Sequence, residues 1–129
     1  MKSIRHVVWY GAIAVVLFDA IAALASRSMG FAYTNASYGS FLIYAIAGFF
    51  GAKVASWKGA ALVGLALGLV DATIGWAVSW VIGPGRPPDT TFSVWMWPVV
   101  AISVSITAII CALIGGVVAR VLKSETREV

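Results

Sequence analysis

Two aspartates, Asp19 and Asp71, stand inside long apolar runs of this 129-residue chain. A charged carboxylate near a bilayer centre costs about 2.5–3.5 kcal/mol even on the mild insertion scale, so such residues turn to an interior and point to function by default. There they can bind a cation, exchange a proton or, when protonated, donate a hydrogen bond across a helix interface. For the last role the sequence offers Thr73, Ser79, Ser103, Ser105 and Thr107 as partners. No basic residue sits in mid-run to neutralise either carboxyl, and Lys53 lies within a turn of a run's end, where it can snorkel to the headgroups.

No other chemistry competes with this pair. His6, the single histidine, belongs to the basic start of the chain, and Cys111, the single cysteine, is a small residue in an apolar run. There is no phosphate loop or metal-ligand spacing, so neither metal nor cofactor is expected. The aspartate pair resembles the dyad of intramembrane aspartyl proteases in number alone. Those families carry GxGD, whereas Gly68-Leu69-Val70-Asp71 is GxxD and Leu17-Phe18-Asp19 adds no signature. Small multidrug exporters are marked by a glutamate in the first helix, where this chain has Asp19. Catalysis is not expected.

The surrounding composition sets the class. Hydrophobic residues make up 61% and charged residues 11%, against about 45–50% and about 25% for a soluble domain. So few charges cannot cover a water-soluble surface. Four continuous apolar stretches, at about 7–26, 38–56, 59–82 and 94–121, each have the length a helix needs to cross a hydrocarbon core of about 30 Å. They lack the alternation of a barrel strand. The chain reads as an all-α integral membrane protein with four transmembrane helices in a single domain, residues 1–129.

Lys2 and Arg5 before a run ending Ala23-Leu24-Ala25 have the form of a cleavable signal, but Asp19 within the run argues for a retained helix. Seven of nine basic residues, Lys2, Arg5, Lys53, Lys58, Arg120, Lys123 and Arg127, fall on one side, with Arg27 and Arg86 on the other. Both termini are then cytoplasmic. The net charge of +4 is accounted for by anionic headgroups without nucleic acid, and a bacterial inner membrane suits the chain. Ser56-Trp57-Lys58-Gly59 allows only a tight hairpin. Trp76, Trp80, Trp95 and Trp97 suit an outer aromatic belt, and the sequon Asn35-Ala36-Ser37 lies on the same outer side.

Laying residue 71 on residue 19, an offset of 52, matches Leu17, Asp19, Ala20 and Ala25 with Leu69, Asp71, Ala72 and Ala77. The chain then reads as two parallel-repeat hairpins, about 7–56 and 59–122, with a tail at 123–129. Gly64, Gly68, Asp71, Gly75 and Ser79 recur on one helical side, and with Gly51 and Gly115 they form small-residue seams for close packing. Four such helices enclose little room, which argues for a homo-oligomer, most simply a dimer, with these seams between subunits. Two functions are expected. One is translocation of a proton, cation or small solute through paired Asp19 and Asp71. The other is a non-catalytic scaffold or accessory subunit of a larger membrane complex, with the aspartates as interhelical hydrogen-bond donors. The charge bias carries its own check: a fluorescent protein fused after Val129 should fluoresce and an alkaline phosphatase fused there should stay inactive, and the reverse pattern overturns the orientation.

Overall fold

The computed structural model describes residues 3–86 and 94–125. Pro87, Pro88 and Asp89 of the expected outer loop, together with Lys2, Arg127 and Glu128, lie outside the described residues. Every element described is helical: α1 (Ile4–Met29), a 3-10 turn (Tyr33–Ala36), α2 (Ser37–Val70), a π turn (Asp71–Gly75), α3 (Trp76–Ile82) and α4 (Met96–Glu125). Three helical stretches, Ile4–Met29, Tyr33–Ile82 and Met96–Ser124, are long and apolar enough to cross a membrane. That is the mark of an integral membrane protein.

From Ala12 to Met29 α1 contains neither Gly nor Pro and runs unbroken. It stops at Gly30, whose φ of 73° is the left-handed cap and whose N–H donates to the Ser26 carbonyl at 2.9 Å. The Ser26 hydroxyl donates to the Phe31 carbonyl at 2.7 Å and holds the following loop against the helix end.

Inside α2 the helical backbone fails at Ala55 (φ −140°, ψ 32°) and Ser56 (φ 58°, ψ −159°). Ser56 is the one non-glycine with positive φ among the described residues, in a region that side chains rarely enter. Residues eight apart in an unbroken helix are separated by about 12 Å. Here a Cβ built on Gly51 would lie 2.9 Å from the Gly59 carbonyl oxygen, and one on Gly59 would lie 2.9 Å from Ala55 Cβ. The chain therefore folds back at Ser56, and two facing glycines let its two arms touch backbone to backbone.

Against these arms packs α4. A Cβ on Gly64 would stand 2.7 Å from Ile109 Cα, one on Gly68 2.6 Å from Ser105 Cα, one on Gly115 2.7 Å from the Ala45 carbonyl carbon, and one on Gly116 3.1 Å from Ala60 Cβ. The second arm runs antiparallel to α4, with 60, 64 and 68 opposite 116, 109 and 105. Lipid is as apolar as leucine, so close van der Waals contact takes the place of the hydrophobic drive between such helices. Val15, Tyr44, Val63 and Leu67 fill the core, all but inaccessible. Most large apolar side chains of the helices face outward, with Leu17 57% exposed while Asp19, two residues on, is 3% exposed.

Two expectations are corrected here. Gly51, Gly64, Gly68, Gly75 and Gly115 are all buried within one chain rather than at subunit seams, because Gly64, Gly68 and Gly115 serve the contact of α2 with α4, Gly51 meets the folded-back arm at Gly59, and Gly75 meets the two carboxyls. Nor does the stripe from Gly64 to Ser79 keep one side. The π turn takes up about one extra residue and rotates the residues after it by roughly 100°. Gly64 and Gly68 meet α4, whereas Gly75 meets Asp19 of α1 and Ser79 meets Gly85. Gly68→Ala and Gly115→Ala should each lower stability by about 1–3 kcal/mol in thermal unfolding in detergent. Gly39→Ala, which faces only the rim of the Phe18 ring, should cost less because that ring can turn aside.

Candidate functional site

The buried face of α1 presents Asp19, and the π turn opens with Asp71, which is half-buried. One turn further, Gly75 leaves room for both carboxyls: a Cβ there would lie 2.8 Å from Asp71 Oδ1 and 3.1 Å from Asp19 Cγ. Residues 52 apart in sequence thus come within hydrogen-bonding reach of each other. An ionised carboxylate only accepts hydrogen bonds, so two in contact need a proton or a cation between them. Asp19 Oδ2 is buried and meets no donor.

Their other partners are phenols. The Tyr44 hydroxyl donates to Asp71 Oδ2, and the Tyr33 hydroxyl donates to Asp19 Oδ1 at 3.5 Å, the outer limit of a hydrogen bond. A polar cluster results, from Tyr33 through Asp19 and Asp71 to Tyr44.

The hydroxyls expected to meet the aspartates mostly turn elsewhere. Thr73 donates to the Leu69 carbonyl at 2.6 Å, Ser103 to Val99 at 2.8 Å, Thr107 to Ser103 at 2.9 Å and Ser79 to Trp76 at 2.8 Å. The Ser105 hydroxyl is buried with no partner. Short hydroxyl side chains in helices reach their own preceding carbonyls, whereas a tyrosine projects its oxygen far enough to cross to another helix. The signal in the sequence is Tyr44 itself, a phenol in mid-run whose hydroxyl needs a partner once buried.

Asp19, Asp71, Tyr33 and Tyr44 line a cavity of about 680 Å³. One wall comes from α4, with Val100, Ser103, Val104 and Thr107, and its rim from loop residues such as Ala32, Thr34, Pro84 and Gly85. The rim lies where α1 and α3 end, away from the Ser56 reversal. One chain supplies this whole lining.

Around the rim, Trp76, Trp80 and Trp97 pack on one another with ring centroids 4.7–5.6 Å apart, and Trp76 also faces the cavity. Arg27 Nη1 donates to the Ile82 carbonyl at 3.2 Å and ties the ends of α1 and α3 together. Lys53 places its ammonium 4.7 Å above the Phe49 ring, away from the aspartates. Among the described residues no three His, Cys, Asp or Glu side chains come together as metal ligands.

No protein-family model matches the chain, and no curated protein or solved structure is similar to it. Tyr44→Phe leaves Asp71 Oδ2 without its phenol donor and should cost about 1–3 kcal/mol in thermal unfolding. Tyr33→Phe, at the limit of bonding distance, should cost less. Equal losses would contradict the unequal geometry.

Proposed function

We propose that this chain is a membrane protein of four spans that translocates a proton, a cation or a small solute, with Asp19 and Asp71 as the binding pair at mid-depth. The observation that carries this reading is the cavity of about 680 Å³ that reaches both carboxyls from one end of the bundle. A structural carboxyl pair needs no such access, and a transported ion does. The span count rests on length: an unbroken helix from Tyr33 to Ile82, 50 residues, would be about 75 Å long, more than twice a hydrocarbon core of about 30 Å. The break at Ser56 divides it into two passes.

In this reading α1 with the first arm of α2, and the second arm with α4, are the two repeats, and the pairing of Asp19 with Asp71 is what their pseudo-symmetry achieves. The termini and the basic Lys53–Lys58 turn face the cytoplasm of a bacterial inner membrane, and the cavity faces outward. A homo-oligomer would assemble through the outer apolar faces, since the glycine seams are taken.

The scaffold reading keeps one observation in its favour. The Tyr44 to Asp71 hydrogen bond joins α2 to the π turn in the manner of interhelical adhesive. Flux measurements in liposomes separate the two. Wild-type protein should carry protons, an alkali cation or a small organic cation above background, and Asp19→Asn and Asp71→Asn should each reduce that flux at least about tenfold while thermal unfolding moves little. Background flux in the wild type, with loss of stability in the Asn variants, would sink translocation in favour of the scaffold.

A further inference from the structure

We propose that the cavity is a binding site for an organic ammonium ion, a primary or secondary amine carried on a compact apolar body. The inference deepens the translocation reading and rests on its carboxyl pair. Asp19 and Asp71 both line the cavity although Asp19 is only 3% exposed, and Asp19 Oδ2 is buried with no donor. Holding two carboxyls together in an apolar interior is costly, and an ammonium ion in the cavity would bring N–H donors to the pair, most directly to the half-buried Asp71, while its charge offsets both. No lysine, arginine or histidine lines the cavity, so an anion finds no partner there.

Size and wall chemistry decide against a bare inorganic ion. The 680 Å³ would hold roughly twenty waters at about 30 Å³ each, and a hard divalent cation wants six to eight oxygen ligands. The pair and its two phenols supply few, and the remaining wall is largely apolar. Phe41, Trp76, Val100 and Val104 offer surface that a hydrocarbon body covers and water does not. Drug-sized ligands occupy clefts of about 300–1,000 Å³ with mainly apolar walls and a few convergent polar groups. The rings of Tyr33, Tyr44, Phe41 and Trp76 also present faces to a cation. Charge at the floor and apolar surface on the walls together define an amphiphilic cation.

The full chain in lipid nanodiscs, titrated calorimetrically, tests this with phenethylammonium, its neutral counterpart 2-phenylethanol, phenylacetate and sodium ion. Phenethylammonium should bind, with the alcohol, the acid and sodium at least about tenfold weaker, and Asp19→Asn should weaken it at least about tenfold. Phe41→Ala, on the half-exposed wall, should weaken it about threefold or more through lost apolar contact. Near-ultraviolet circular dichroism of the tryptophan cluster reports whether each variant is folded. If Asp19→Asn is not, Phe41→Ala decides, and unchanged affinity in that variant overturns the proposal. So does 2-phenylethanol binding as tightly as the amine, or a folded Asp19→Asn of wild-type affinity. Asp-dependent proton or sodium flux without amine binding overturns this inference and leaves translocation standing. Amine binding without flux of any kind does the opposite.

Discussion

Two acidic side chains placed in contact inside an apolar bundle cannot be left alone: something positive, or a proton, has to lie between them. Most local features of this fold answer to that constraint. Gly75 has no side chain because both carboxyls occupy the space a methyl would need. Tyr44 is carried into the core, 1% exposed, so that a phenol faces Asp71. The loop after α1 is capped and pinned by Ser26, which sets Tyr33 over Asp19. Each arrangement costs the fold conformational freedom or close packing, and each meets at the same pair of carboxyl groups.

The cavity and the glycine contacts are two sides of one packing solution. At the Ser56 end the helices approach until backbone touches backbone, through Gly51, Gly59, Gly115 and Gly116. At the other end Tyr33, Trp76, Phe41 and the loops are too bulky to close. Close contact of the second arm with α4 continues up to Gly68 and Ser105, and the cavity opens beside it at the carboxyl end. The indole cluster of Trp76, Trp80 and Trp97 then braces the wide end.

Much of this is legible in residue order. Continuous apolar runs announce membrane-length helices, and the tight turn near Ser56 is dictated by how few residues separate two of them. Asp19 and Asp71 stand out because charge is rare in such a chain, so their importance can be read before their contact is known. Less legible is whatever depends on side-chain reach. Periodicity places Ser79, Ser103 and Thr107 on plausible faces, but it cannot show that a short hydroxyl bonds its own helix while Tyr44 crosses to another. Helical arithmetic likewise assumes a constant 100° per residue, and the Asp71–Gly75 turn breaks that assumption where the stripe of small residues passes from α4 to α1. The cavity escapes the sequence for a similar reason: counting four thin helices says nothing of the space left between them.

The π turn has a mechanical meaning as well. Below it, the second arm of α2 is locked to α4 by contacts that admit no side chain. Above it, α3 is joined to α1 through Gly75 and the Arg27 tie to Ile82. The five residues from Asp71 to Gly75 are wound more loosely than their neighbours and carry one of the two acids. They join a stretch packed on α4 to a stretch packed on α1. One continuous backbone thus seats on α4 before the turn and on α1 after it, and Asp71 stands where it changes partner.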